Sequence, residues 1–259
     1  MSAKGFERTR SSYHLLCRTV TPAPLLKCRR LKEMRRVLLL KICGRKTGRA
    51  AACFILSQFY SIINPFNKKF IIMGPMNAIT YKEIFPLIKD NKMWIGHGFN
   101  KTIKFQVPYY YKGYFENGVK YGKVSGICWY TNIDIQKRHE EQILYKKYDK
   151  NEYPKYETLD AIDVKKLSDI PCDYFGIMGV PKTFLDCYNP TQFEILGYER
   201  EDENIKVGIQ TMPEEFLNNY RKQGGTGHYT KGMKMLCYYD EKNRAKIPFS
   251  RILIRRKQK

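Results

Sequence analysis

The chain has 259 residues, of which 43% are hydrophobic and 14% aromatic, and its formal net charge is +22. This length and composition predict a folded protein of one large or two small domains and exclude a disordered chain. No apolar run approaches the ~20 residues of a membrane-spanning helix, and the first residues lack a signal-peptide pattern. We therefore expect a cytoplasmic protein without a membrane partner, whose positive charge either attracts nucleic acid or only keeps the chain soluble.

Eight cysteines and four histidines are scattered along the chain without a C-x-x-C pair or a closely spaced histidine pair. Zinc ligands come in tight pairs, so we expect no metal site. Without a secretory signal, the cysteines are expected to be reduced thiols.

Residues 1–60 contain 14 Lys and Arg against two acidic residues, without steady helical or strand periodicity. Three interpretations remain open: a nucleic-acid-binding arm, an organelle-targeting segment, or sequence that was never selected to fold. Within this segment, "LKEMRRVLLLKI" (31–42) predicts a short basic helix. Because the apolar residues share no consistent face, we expect the segment to pack poorly against the rest of the chain.

From residue 61 onward the pattern becomes regular. "NKKFIIMG" (67–74) is a continuous apolar run that predicts a strand buried on both faces. Thr80 and Glu83 fit a capping box that would start a helix at Tyr81. Pro86 either breaks that helix early or lies in the first turn of the next one. "KMWIGHG" (92–98) predicts a second strand. Strand, helix and strand form a βαβ unit, so the two strands are expected to run parallel.

The next residues predict antiparallel strands. "TIKFQVPYYYKG" (102–113) alternates apolar and polar residues as an exposed strand does, and Gly118 and Gly122 indicate a hairpin return. "VSGICWYTNID" (124–134) predicts a further strand, antiparallel to the first two and at or near the edge of their sheet. Residues 136–148 are charged and compatible with a helix.

Asn64, Pro65 and Phe66 follow a short apolar run and are candidate catalytic residues. An enzyme that methylates an exocyclic amine must accept hydrogen bonds from it, so that the nitrogen lone pair is free to attack. An Asn oxygen and the carbonyl of the following Pro supply two such acceptors, and a neighbouring aromatic ring stacks on a base flipped out of the duplex. The alternative is a plain Asn-Pro turn between two strands.

Several longer strings resemble one family, the EcoRI-type adenine-specific DNA methyltransferases. They are "KKFIIMGPMNAITYKEIFPLIKDNKMWIG", "GICWYTNID", "YPKYETLDAIDV", "MGVPKTFLDCYNPTQFEILG" and "RILIRRK". The resemblance runs through most of residues 61–259 and does not extend to residues 1–60. It implies an enzyme that transfers a methyl group from S-adenosylmethionine to the N6 amine of adenine in double-stranded DNA, with a cognate restriction endonuclease as a companion.

The resemblance also implies a fold and a division of the chain. The fold class is α/β, a partial Rossmann-like methyltransferase sheet followed by a C-terminal α+β extension that recognises DNA. Residues 61–148 would be the later half of the methyltransferase domain and residues 149–259 the target-recognition region, after the basic segment 1–60.

The chain departs from the family's pattern at two places. The family's tetrapeptide is Asn-Pro-Pro-Phe, whereas here one proline is missing and only Asn67 separates the motif from "KKFIIMG". The only stretch that could match the family's glycine-rich cofactor turn is "CGRKTGRA" (43–50). We interpret it as a chance match, because no clear strand precedes it and no suitable acid follows it. The cofactor-binding residues are therefore unknown. We expect a truncated enzyme, weakly active or inactive as given. The alternatives are a nonenzymatic DNA-binding fragment of such an enzyme and a general basic nucleic-acid-binding protein.

The candidate DNA-binding residues are basic side chains of the C-terminal half. Arg255, Arg256 and Lys257 form a basic tail after an apolar strand and are expected to contact phosphates. The resemblance adds Lys182, within a region (176–200) expected to help read the DNA sequence.

Overall fold

The computed structural model describes six ranges of the chain: 38–41 (backbone only), 60–61, 68–96, 98–99, 101–200 and 206–258. Asn64, Pro65 and Phe66 lie outside the described residues. Contacts divide the chain into two compact units, 1–37 and 38–259, and every described residue belongs to the second.

Thirteen strands and two α-helices lie wholly within the described residues, and Tyr60 and Ser61 are also helical. The strands are β1 (Leu38–Lys41), β2 (Phe70–Pro75), β3 (Trp94–Ile95), β4 (Ile103–Gln106), β5 (Tyr114–Glu116), β6 (Val119–Val124), β7 (Ile127–Thr131), β8 (Ala161–Asp163), β9 (Ile177–Pro181), β10 (Phe193–Tyr198), β11 (Tyr238–Tyr239), β12 (Ala245–Lys246) and β13 (Arg251–Arg256). The helices are α1 (Phe85–Lys89) and α2 (Glu214–Lys222).

The first sheet has the strand order β1-β2-β7-β3. β1 is parallel to β2, and β7 is antiparallel to both β2 and β3. The predicted parallel direction of β2 and β3 is therefore confirmed, but the two are not neighbours because β7 lies between them, one strand from the edge. Side chains of β7 fix it there: Tyr130 Oη donates to the carbonyl of Pro75 at 2.7 Å, and Thr131 Oγ1 donates to the carbonyl of Phe70 at 2.7 Å.

Parts of segment 1–60 pair or pack with the rest of the chain, contrary to our expectation. Residues Leu38–Lys41, which we predicted to be helical, form a strand against β2. Tyr60 is buried and meets Phe70 edge-on, with ring centroids 6.0 Å apart. A strand therefore does precede "CGRKTGRA" (43–50), although that stretch itself lies outside the described residues.

The helix predicted to begin after Thr80 is wrong. Met76–Thr80 forms a 3-10 turn, and α1 begins only at Phe85, with Pro86 in its first turn as the second alternative required. The capping box does not form, because Tyr81 has an extended backbone (φ −82°, ψ 143°) and Thr80 Oγ1 donates to the carbonyl of Asn77 instead.

Residues 136–148, whose sequence is compatible with a helix, form only a short 3-10 turn, Gln136–Arg138. The following segment is extended because its backbone bonds to distant residues. Gln142 exchanges two hydrogen bonds with Gln192, and the carbonyl of Lys146 accepts one from the N–H of Cys172.

The second sheet has the strand order β10-β13-β9-β8, with β13 antiparallel to both neighbours and β9 parallel to β8. One buried cluster includes residues of both four-stranded sheets, among them Phe70, Ile72, Tyr130, Met178, Phe193 and Ile254. A single apolar core therefore joins regions that we separated at residue 148. Their division into catalytic and recognition regions stays a prediction.

A three-stranded sheet, with the order β4-β6-β5, follows the first sheet's β3 in the chain. The predicted hairpin is confirmed at Gly118: Asn117 (φ 49°) and Gly118 (φ 77°) form the two-residue turn between β5 and β6, which needs positive φ at both positions. Gly122 lies inside β6, where an added Cβ would be 3.1 Å from Val107.

Candidate nucleic-acid interface

β2 and β9, which belong to different sheets, end in the same way. β2 ends at Pro75 and β9 at Pro181, and a 3-10 turn follows each proline, Met76–Thr80 and Lys182–Asp186. Proline fixes φ and donates no hydrogen bond, so it ends the strand ladder at a defined residue. Both turns therefore begin at fixed positions.

A side-chain hydrogen bond joins the two turns. Lys182 Nζ donates to Asn77 Oδ1 at 3.2 Å, and the backbone N–H of Lys182 donates to the carbonyl of Ser250, also at 3.2 Å. The ammonium lies 5.7 Å from the ring centroid of Phe249. The cation predicted to contact DNA thus lies beside an aromatic ring at the carboxyl end of β2. Ligands of open α/β sheets bind at the carboxyl ends of strands.

Phe249 is presented to solvent on a fixed backbone. Its side chain is 81% exposed, and its carbonyl accepts a hydrogen bond from Arg251 Nη1 at 3.1 Å. The next residue, Ser250, has φ +42°, a left-handed conformation that is costly for a residue other than glycine. Such a conformation persists only when surrounding contacts impose it, and the bonds to Arg251 and Lys182 do so here.

A buried ion pair anchors this loop to the second sheet. Arg251 Nε and Nη2 donate to the two carboxylate oxygens of Asp163, at 2.7 and 3.2 Å. The side chain of Asp163 is fully buried, and Tyr156 Oη donates to it at 2.5 Å. Burial raises the pKa of Tyr156 well above its ordinary value, as does the Asp163 carboxylate, so the hydroxyl stays protonated and remains a donor.

Glu199 is the carboxyl group next to this loop. Its Oε2 accepts the backbone N–H of Arg251 at 2.6 Å. Burial raises the pKa of Glu199, while that hydrogen bond and the charges of Arg200, Arg251 and Lys182 act in the opposite direction. Because its pKa is raised, Glu199 loses its negative charge at a higher pH than an exposed glutamate does. Once it is protonated, it no longer balances the positive charge at the loop.

The other predicted DNA-binding residues lie at the opposite end of β13. Arg251 begins this strand beside Pro181, whereas Arg255 pairs with Ile177, so Lys182 and the basic tail are separated by the strand's length, roughly 17–20 Å. The structure therefore does not bring the four predicted cations together.

The three cations of the tail differ in their surroundings. Arg256 donates to the carbonyl of Cys172 and lies 5.2 Å from the ring centroid of Phe175. Lys257 Nζ donates to the carbonyl of Pro190 at 2.8 Å. Arg255 is exposed on the strand. Arg256 and Lys257 also line a hollow of about 390 Å³ together with Phe175, Gln192 and Glu141.

Asn77 and Phe249 were not predicted from the sequence. Asn77 bonds to a residue 105 positions away, a contact that no local pattern reveals. Phe249 had one signal, an aromatic residue between Pro248 and a serine immediately before the apolar strand "RILIRR".

The described part of the chain contains neither a metal-binding cluster nor a membrane-spanning helix. There, no group of three or more His, Cys, Asp or Glu side chains is placed to hold a metal ion, and no helix has the length and apolarity that a bilayer crossing requires. Cys128, Cys172, Cys187 and Cys237 are free thiols, and burial raises the pKa of Cys128 and Cys237 to about 12.

Comparison with known families decides what this chain is related to. A family model described as "Adenine-specific methyltransferase EcoRI" matches residues 53–257. The chain belongs to this family. The EcoRI adenine-specific methyltransferase match begins inside segment 1–60, so the limit we expected at residue 61 is corrected to residue 53. It includes Asn64, Pro65 and Phe66, Lys182, and the whole of β13.

Three curated relatives are bacterial Type II methyltransferases. M.EcoRI of Escherichia coli is 44% identical over 155 residues (56% of this chain, 48% of the relative). M.MgeORF184P of Mycoplasma genitalium is 40% identical over 155 residues, and M.MpnI of Mycoplasma pneumoniae is 37% identical over 152 residues, each match covering 55% of this chain and 48% of the relative. The chain thus spans about half the length of the curated relatives it matches. No solved structure matches it significantly.

Proposed function

We propose that this chain is an adenine-specific DNA methyltransferase that transfers a methyl group from S-adenosylmethionine to the N6 amine of adenine in duplex DNA. The observation that carries the proposal is the family match over residues 53–257. The first sheet is proposed to be part of a Rossmann-like methyltransferase sheet and the second sheet to belong to the DNA-recognition extension. A cognate restriction endonuclease is its proposed companion in the cell.

The cofactor is proposed to bind at the carboxyl ends of β1 and β2. These strands are parallel and in register, with Lys41 opposite Met73, so their carboxyl ends lie side by side. That arrangement suits a nucleotide-containing ligand, because ligands of open α/β sheets bind in the crevice outside these ends. When bound, S-adenosylmethionine supplies the methyl group.

The chain's own residues are proposed to position the adenine and the DNA. The Asn64 side-chain oxygen and the Pro65 carbonyl accept hydrogen bonds from the amine, and Phe66 stacks on the flipped base. Lys182 contacts a phosphate, and Phe249 packs against a base or sugar next to it, because the two side chains lie together at the carboxyl end of β2. Arg255, Arg256 and Lys257 contact phosphates at the other end of β13.

A slow reaction is expected from this chain. Both edges of β2 are paired, one with β1 and one with β7. Neither partner of β2 contains Asn64, and the family's tetrapeptide lacks one proline here. A displacement of the acceptors by about 1 Å costs on the order of 100-fold in rate. The same observation favours a second candidate function, a nonenzymatic DNA-binding protein of this family.

The two candidates differ in methyl transfer. The test incubates the full chain with tritiated S-adenosylmethionine and adenine-containing duplex DNA, and compares it with Asn64→Ala. Slow transfer that Asn64→Ala abolishes supports the proposed function. Asn67→Ala is the matched control, since it removes the same amide immediately after the motif and is expected to leave the rate unchanged. No transfer, with DNA binding intact, would establish the nonenzymatic candidate instead.

A further inference from the structure

The three-stranded sheet contributes nothing to the buried clusters of the described residues. None of residues 101–127 belongs to those clusters, although the same stretch carries some of the most exposed aromatic side chains: Tyr109 is 77% exposed, Tyr110 90% and Phe115 56%. Exposed apolar groups gathered on one small element indicate an interaction surface.

The aromatic side chains are gathered at one end of this sheet. The rings of Tyr109 and Phe115 lie 5.6 Å apart, and Lys120 Nζ fixes the intervening loop by donating to the carbonyl of Tyr109 at 2.6 Å. An open hollow of about 500 Å³ lies beside them, lined by Pro108, Gly118 and Lys120 among others. Tyr109 therefore lines a concave space on a fixed backbone, and Phe115 lies against Tyr109.

The charge of the sheet is strongly positive. Residues 101–124 contain five lysines and one acidic residue, Glu116, which Lys104 Nζ neutralises at 3.0 Å. Two lysines lie against rings: Lys120 Nζ is 5.6 Å from the centroid of Phe115, and Lys123 Nζ is 4.3 Å from that of Tyr114. Lysines interleaved with aromatic rings suit contact with a nucleic-acid backbone, because the ammonium groups pair with phosphates and the rings pack against sugars.

We propose that this sheet is a second DNA-binding surface, separate from the Lys182–Phe249 loop, whose lysines contact phosphates while Tyr109, Tyr110 and Phe115 pack against the sugars of the backbone. The inference rests on the proposed function, which supplies DNA as the partner. Charge favours DNA over a protein partner, because protein interfaces are depleted in lysine and every cation of this surface is a lysine.

The test measures binding of the full chain to a fluorescent duplex over a series of salt concentrations, without cofactor. We expect the variant Tyr109→Ala/Tyr110→Ala/Phe115→Ala to bind about tenfold more weakly, a loss of about 1.4 kcal/mol, because it removes the rings that pack against the sugars. The matched control, Tyr109→Phe/Tyr110→Phe, keeps both rings and should retain the affinity. A second variant, Lys112→Ala/Lys123→Ala, leaves the aromatic end intact and should reduce the slope of log Kd against log salt by about 0.9 per lost phosphate contact.

Each outcome separates this inference from the proposed catalysis. DNA binding that depends on the sheet, in a chain that transfers no methyl group, supports the inference and overturns only the catalytic proposal. Unchanged affinity and salt slope in both variants overturn the inference, as does a failure of the unaltered chain to bind duplex DNA. A chain that is oligomeric, and that these substitutions render monomeric with the DNA affinity intact, would show that the surface contacts a second copy instead.

Discussion

Phe184, in the core shared by the two four-stranded sheets, is completely buried, whereas Phe115, in the three-stranded sheet, is 56% exposed. The same residue type therefore stabilises the fold in one region and remains available for contact in the other. One ion pair from each region shows the same contrast: Arg251–Asp163 is buried, and Lys104–Glu116 is exposed to solvent. The buried pair stabilises the fold of the core region, whereas the pair in the outer sheet lies in solvent.

The two regions should therefore respond differently to substitution. Substitutions in the core are expected to lower stability and to affect DNA only through unfolding. Equivalent substitutions in the three-stranded sheet should leave stability nearly unchanged, which makes its DNA contacts separately measurable. Matched substitutions in the two regions test this division directly.

The largest expected effect is on core packing. Phe184→Ala removes a ring that meets Phe193 edge-on at 5.2 Å and lies 5.8 Å from Tyr188, so we expect it to reduce the free energy of unfolding by about 3–5 kcal/mol. Urea denaturation followed by circular dichroism measures this. Phe115→Ala is the control and should change stability by no more than about 0.5 kcal/mol. Similar losses in the two variants would show that the outer sheet is part of the core after all.

A smaller effect is expected from a single buried hydroxyl. Tyr156→Phe removes the donor 2.5 Å from the buried Asp163 carboxylate, and hydrogen bonds to charged groups contribute about 1.5–3 kcal/mol. Tyr114→Phe is the matched change in the outer sheet, where the hydroxyl lies 3.5 Å from Glu116 in solvent and should contribute almost nothing. Equal unfolding midpoints for Tyr156→Phe and the unaltered chain would mean that Arg251 alone satisfies Asp163.

The hairpin turn of the outer sheet should show an effect smaller still. Gly118 has φ 77°, and a Cβ in this conformation costs roughly 1–2 kcal/mol. Gly118→Ala is therefore expected to weaken the β5–β6 hairpin, and amide hydrogen exchange should rise within residues 114–124 while the core strands stay protected. Asn117→Gly is the control, since glycine accepts that position's φ of 49° without cost. Faster exchange in β2 or β13 would show that the two regions unfold together.

The apolar runs predicted the strands β2, β7 and β13, because a buried strand leaves a continuous hydrophobic signature. Their order in the sheets was beyond prediction. The place of β7 between β2 and β3 depends on bonds from Tyr130 and Thr131 to residues about 55–61 positions away. The segment after Arg138 is extended for the same reason, since its partners lie beyond residue 170.

The candidate site shows the same limit. Lys182 was predicted from the family resemblance, but its partners come from other parts of the chain: Asn77 follows β2, and Phe249 precedes β13. A sequence pattern describes the residues of one strand or helix at a time. It therefore identifies Lys182 but not Phe249, the aromatic ring beside it. The separation of Lys182 from Arg255 is equally a property of strand register.

The smallest expected effect concerns the exposed ion pair of the outer sheet. The ammonium of Lys104 donates a hydrogen bond to Glu116 and lowers the pKa of this carboxyl group. A carboxyl whose pKa is lower in the folded chain stabilises the fold above its unfolded pKa, and that contribution is lost as the pH falls through the lowered folded pKa. Solvent and salt screen both side chains. A double-mutant cycle of Lys104→Ala and Glu116→Ala at physiological salt should therefore show no coupling beyond measurement error. Any coupling seen at low salt should disappear in acid, where Glu116 is protonated. A coupling that survives high salt would mean that this pair stabilises the fold as the buried Arg251–Asp163 pair does. The division between a folding core and a contact surface would then not hold at β4 and β5.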